Sequence, residues 1–159
     1  MKEKSFEPGR DNIVLIGMPG AGKSTLGIVL AKILCMDFVD ADLLIQQSCD
    51  KSLQRLIDTL GPDAFLEIEN QVLSEMSFEH SVIATGGLSE IGRVVYLKIS
   101  FDELKCRLAD FSERGVVMRD GIGMSLRELY DERLPLYEKY ADITVDVNDL
   151  SITAAARKV

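Results

Sequence analysis

The sequence predicts an α/β fold built on a parallel sheet, and three observations carry that prediction. Short apolar runs alternate with stretches of helical periodicity along the whole chain, the pattern of strand–helix–strand units. The first of these runs, "NIVLIG" over residues 12–17, is apolar on both faces, which suits a strand covered on both sides. A glycine-rich turn, "GMPGAGKST" over 17–25, leaves that strand and opens a helix.

The elements follow in order. After the turn, Leu26, Val29, Leu30, Ile33 and Leu34 recur at three- and four-residue spacing and predict one inward stripe of a helix. "FVD" (38–40) reads as a second strand, and "DLLIQQSC" and "SLQRLIDTL" as helical pieces that end at the Gly61-Pro62 break. A helix from Asp63 presents Phe65, Ile68, Val72, Leu73 and Met76 inward. "SVIAT" and "VVYLKIS" are strands three and four, "FDELKCRLAD" a helix, and "ADITVDV" strand five. Only residues 86–93 separate strands three and four, whereas a parallel crossover ordinarily takes about a dozen residues. Either strand four runs antiparallel, or residues are missing from this sequence after Gly87. The helix-tail character of "LSEIG" favours the second.

With 159 residues and 47% hydrophobic content, the chain suits one domain with one substantial core. We expect the core to span about 11–110 and 125–159, with a lid over about 111–124. The net charge of −8 and pI near 4.7 disfavour nucleic acid and anionic membrane surfaces as partners. Cys35, Cys49 and Cys106 have neither zinc-ligand spacing nor even number, and read as reduced core thiols of a cytoplasmic protein. No signal peptide or membrane-spanning run is expected.

Gly17, four intervening residues, then Gly22, Lys23 and Ser24 match the Walker A spacing in its required strand–turn–helix context. The glycines let backbone N–H groups converge on a phosphate at a helix N-terminus. Lys23 would reach the outer phosphates and Ser24 would ligate magnesium. The loop is therefore expected to hold a nucleoside triphosphate. Asp40 and Asp42, just beyond the second strand, could hold a magnesium-bound water and accept a proton from an attacking hydroxyl. Alternatively, Asp42 caps the next helix. "CRLADFSERGVVMRDGIGM" supplies Arg107, Arg114 and Arg119 around a glycine-punctuated segment suited to a lid. Arg133 follows Leu126, Leu129 and Tyr130 at helical spacing, where a guanidinium needs a carboxylate from the protein or from a substrate.

In "GMPGAGKST", "FVDADLLI", "GPDAFLEIE", "ATGG", "VVYL", Arg107, Arg114 and "ERLPLYEKYAD", the chain resembles the shikimate kinase family of small P-loop kinases over nearly its whole length. The resemblance implies a three-layer fold with a five-stranded parallel sheet in the order 2-3-1-4-5, flanking helices and a lid. It also implies transfer of the ATP γ-phosphate, with Mg2+, to a hydroxyl of a small carboxylic acid, by a monomer. Lys23, Asp42 and Arg114 would be catalytic. Gly17, Gly20, Ala21, Gly22, Lys23, Ser24, Thr25, Arg107 and Arg114 would bind ATP, and Ser24 and Asp40 the metal. Asp42, Gly86, Gly87, Arg133, Leu66 and Glu69 would surround the acceptor.

Two departures fall on the acceptor side. Leu66 stands where the family places an arginine as second clamp on the acceptor carboxylate, and Leu88 stands where the family usually continues with a third glycine. Glu69, which pairs with that arginine in the family, is left to contact the substrate or Arg133. The expected acceptor is shikimate or, given Leu66, another small hydroxy acid, sugar acid or amino alcohol. A non-catalytic ATP-binding regulator is the remaining alternative.

Overall fold

Ile13–Ile16 form the central strand β1, whose residues Val14, Leu15 and Ile16 are fully buried. The computed structural model describes residues 11–60, 62–86, 91–113 and 125–159. After β1 come α1 (Lys23–Leu34), β2 (Asp37–Asp40), α2 (Ala41–Cys49), α3 (Leu53–Leu60), α4 (Pro62–Glu75), β3 (Ser81–Ala84), β4 (Arg93–Lys98), α5 (Phe101–Glu113), α6 (Leu126–Tyr140), β5 (Ile143–Asp146) and α7 (Ile152–Ala156). The five strands form one sheet in the order β2-β3-β1-β4-β5, with every neighbouring pair parallel. Helices lie on both faces. Leu15 meets α1 at Gly27, whereas Tyr96, paired with Ile16 and so facing the other way, stacks on Tyr137 of α6 at 5.2 Å.

α1 is turned relative to the stripe expected from the sequence. Leu26, Gly27, Leu30 and Ala31 are buried, while Ile33 and Leu34 are 56% and 43% exposed. The cause is Gly27. A Cβ there would lie 2.5 Å from the Phe38 ring and 3.3 Å from Leu15, so the missing side chain lets the helix rest on the sheet at that point. Met76, expected inward from α4, is 39% exposed because α4 ends at Glu75. The cysteines are free thiols as expected but not core residues: Cys35 and Cys106 are exposed and Cys49 is half-buried. α6 begins with a capping box in which Ser125 and Glu128 bond reciprocally; the Ser125 amide holds the Glu128 carboxyl below its ordinary value. α7, not foreseen, is five residues long and buries only Ala155 and Ala156, too short a pattern to stand out.

The antiparallel reading of the gap before β4 is corrected. β4 runs parallel to β1, and the 159-residue sequence holds only residues 85–92 between β3 and β4. The distance is short. Ala84 pairs with Leu15 and Arg93 with Ile13, so β4 starts about 7 Å back along β1 and about 10 Å across it from the end of β3. Eight residues reach about 25 Å, enough to cross without a helix. Asn12 ties the two entering strands together. Its Nδ2 donates to the Phe78 carbonyl at 2.8 Å and the Ile91 carbonyl at 3.0 Å, and its Oδ1 accepts from the Ser81 amide at 3.0 Å. Asn12 is 3% exposed, so Asn12→Ala leaves buried backbone groups unpartnered and should lower unfolding stability by about 2 kcal/mol. Urea denaturation showing an unchanged midpoint would contradict this.

Candidate active site

The carboxyl ends of β1, β2 and β3 lie in register, with Leu15 beside Ala84 and Ala84 beside Asp40. In a parallel sheet this is the edge where ligands bind. The turn leaving β1 is shaped by Gly17, Gly20 and Gly22, all at positive φ. A Cβ on Gly20 would come within 2.8 Å of Leu108, which packs the turn from behind, whereas one on Gly22 would meet nothing within 4 Å. The open side thus lies at the N-terminus of α1. Gly22 is its N-cap without a side-chain bond, and its first turn holds no acidic residue. Such a cradle fits the phosphates of a nucleotide.

Around that opening, the Lys23 ammonium donates to the carbonyls of Gly17 at 2.8 Å and Met18 at 3.0 Å. Ser24 Oγ donates to Asp40 Oδ2 at 2.7 Å. The other oxygen of Asp40 accepts from the amides of Asp42 and Leu43, so Asp40 caps α2, and Asp42, considered for that cap, stands half-buried on the first turn. A hydroxyl and a carboxylate oxygen side by side suit a hard cation such as Mg2+.

On the acceptor side, Glu69 is 3% exposed and accepts from the Thr85 hydroxyl at 3.4 Å. Thr85 is itself buried and donates its amide to the Leu15 carbonyl. Glu69 therefore holds the end of β3, just before Gly86, and does not pair with Arg133. Arg133 is half-buried on α6 and has no ion pair among the described residues. Gly87, Arg114 and Arg119 lie outside the described residues, as does the lid segment 114–124; residues 111–113 belong to α5. Leu66 is on α4, with its side chain outside the described part.

Arg107 closes the nucleotide side. Its Nε bonds Glu103 at 2.9 Å, and its terminal nitrogens donate to the carbonyls of Ala21 at 3.4 Å and Val147 at 3.0 Å. It thereby links the phosphate turn to the end of β5. Beside it Val147, Leu150 and Ile152 wall a cavity shared with Gly20, Gly22 and Thr25. No motif marks these three aliphatic residues. Thr85 also escaped notice as a partner for Glu69, for lack of any local signal linking residues sixteen apart.

A profile of the shikimate kinase family matches residues 19–159. The chain belongs to that family. A shikimate kinase of Francisella tularensis subsp. holarctica is 35% identical, with 93% of this chain and 92% of the relative covered, and one of Clostridium botulinum is 38% identical, with 87% and 89% covered. Among solved structures, shikimate kinase from Acinetobacter baumannii in complex with shikimate has a TM-score of 0.79 at 30% identity, over 92% of this chain and 89% of that one. The shikimate kinase from Aquifex aeolicus has a TM-score of 0.74 at 27% identity, with 92% of each chain covered. The alignment with the Francisella relative runs over 161 positions yet takes in 93% of 159 residues. About 13 positions of that kinase thus have no counterpart here. As a member of the shikimate kinase family the chain is a phosphotransferase acting on a hydroxyl group. Neither a different acceptor nor a non-catalytic regulator is favoured by these relatives.

Proposed function

We propose that this chain transfers the γ-phosphate of ATP, with Mg2+, to a hydroxyl of shikimate. The observation that carries the proposal is the Ser24–Asp40 contact of 2.7 Å at the mouth of the glycine turn, in a chain whose relatives are shikimate kinases. The amides of Gly20 through Thr25 would wrap the phosphates. Lys23, now on the carbonyls of Gly17 and Met18, would swing to the outer phosphates and offset the charge that develops on transfer. Ser24 and Asp40 would hold Mg2+, which when bound would supply neutralisation of the phosphate charge.

The acceptor hydroxyl oxygen bonds to the γ-phosphorus, the bond to the β–γ bridging oxygen breaks, and the hydroxyl proton passes to Asp42. Arg133, half-buried and without an ion pair among the described residues, would grip the acceptor carboxylate. Glu69 would hold Thr85, and with it the backbone of Gly86 and Gly87 that lines the acceptor. Arg114, in the lid, would reach the triphosphate. In this reading the chain works as a cytoplasmic monomer on two small, charged metabolites, with no nucleic acid or membrane partner; among the described residues no helix is long and apolar enough to cross a membrane. The test is ADP release with and without shikimate, with the product followed by phosphorus NMR. The expected result is shikimate-dependent turnover with one new phosphate ester. Slow hydrolysis indifferent to shikimate would overturn the reading.

A further inference from the structure

α6 runs back along β4. Near its start the Tyr130 hydroxyl donates to the Ile99 carbonyl at 2.7 Å, just past the carboxyl end of β4, and farther along the Tyr137 ring stacks on Tyr96 at 5.2 Å. The helix ends at Ala141, and the Asp142 amide donates to the Val94 carbonyl near the start of β4. Tyr130 and Tyr137 are both buried, so they fasten one face of α6 to the sheet at two points. Arg133 lies between them, turned about 60° from Tyr130 and about 40° from Tyr137 around the helix. Helical side chains lean toward the helix N-terminus, which in α6 is the end at the carboxyl edge of the sheet. Arg133 thus leans toward the edge where the phosphate turn opens.

Pro135 sits in the same turn, inside α6. It has no N–H to give the Asp131 carbonyl, and its ring presses on that carbonyl. The turn that carries Arg133 therefore lacks its closing bond. Proline is the costliest residue in a helix interior, and here packing does not call for it, because Pro135 is exposed. Helices curve with their convex side to solvent, and sharp bends fall at proline. An outward-facing proline opens the solvent side of the turn and tips its inner side, with Arg133, toward the sheet.

We infer that Pro135 is a positioning residue for Arg133: the bond missing from its turn sets the guanidinium at the height and angle that hold the acceptor carboxylate. This rests on the role proposed above for Arg133. Stability is given up at that turn for the geometry of the site. Restoring the bond should then strengthen the helix and misplace the arginine, two effects of opposite sign that a purely structural proline would not produce.

Pro135→Ala and Pro135→Gln each return an N–H to this exposed position. In both, KM for shikimate is expected to rise by about 5–30-fold, short of the loss expected for removing Arg133, with kcat changed less. KM for ATP should stay within about twofold of the parent, and the melting temperature should hold or rise by a few degrees. In an Arg133→Ala background, Pro135→Ala should leave KM for shikimate within about twofold of Arg133→Ala alone, since no guanidinium is left to be placed. A KM for shikimate within about twofold of the parent in either single variant overturns the inference. So does a rise that persists in full on top of Arg133→Ala, because Pro135 would then act through another group. A lower melting temperature in both variants, or failure of both to fold, would make Pro135 a folding residue and overturn it as well. If Arg133→Ala itself leaves KM for shikimate unchanged, the carboxylate clamp fails and this inference with it. If Arg133→Ala raises that KM and Pro135→Ala does not, the clamp stands and this inference alone fails.

Discussion

Lys23→Ala should lower kcat by about 10²–10³-fold, the range seen when one preorganised charge-stabilising donor is removed from a transition state. The geometry explains why the loss falls on chemistry and not on folding. Lys23 sits in the first turn of α1 with its ammonium on two carbonyls of the turn itself, Gly17 and Met18, so it carries no packing for the sheet. The far-UV circular dichroism and melting temperature of the variant should therefore stay close to the parent. Much of the loss should appear in kcat, since the developing charge on the transferring group is greater in the transition state than in bound ATP. ADP release within fivefold of the parent would remove Lys23 from the phosphate site. Unfolding of the variant would recast it as a structural residue.

How the fold was legible, and where it was not, can be traced to particular residues. The glycine turn and the apolar runs 13–16, 81–84 and 94–97 were readable because each is local and dense. The sheet's order was implied only by resemblance. The face of α1 was misjudged because its centre is Gly27, and a residue without a side chain has no hydrophobic signature; the approach of Phe38 is visible only in three dimensions. The direction of β4 was left open because the rule for crossover length assumes a helix to be packed, whereas the register of Ala84 and Arg93 on β1 places the two ends within reach of residues 85–92. In the site, Ser24 and Asp40 were each named for the metal, and the structure brings them to 2.7 Å. The cap of α2 went to Asp40, not Asp42, since Asp40 is the residue in extended conformation immediately before the helix. Glu69, expected at the substrate or Arg133 for want of that arginine, accepts from Thr85 just beyond β3, a partner sixteen residues away that no local pattern links to it.

Arg133→Ala should raise KM for shikimate by about 10–100-fold with kcat changed far less and KM for ATP unaltered. A hydrogen bond to a charged group is worth about 1.5–3 kcal/mol, which converts to that factor at about 1.4 kcal/mol per decade. Arg133 is half-buried on α6, and no carboxylate of the described residues pairs with it. Removing it therefore breaks no internal ion pair there, and stability should hold. If Arg133 were merely a packing residue, its truncation would lower the melting temperature and leave KM in place, and that outcome would sink the assignment. Arg133→Lys separates charge from geometry, because an ammonium cannot make the two parallel bonds of a guanidinium, and it should fall between parent and alanine. Leu66 supplies the converse test. The family resemblance places a second arginine there, so a parent with one clamp should bind shikimate more weakly than a two-clamp site. Leu66→Arg should then raise kcat/KM for shikimate by about 10–100-fold. The gain should be larger in the Arg133→Ala background than a purely additive effect would give, since two guanidinium groups on one carboxylate partly duplicate each other. A Leu66→Arg enzyme no better than the parent would mean that the acceptor carboxylate does not reach α4, and that Arg133 holds it alone.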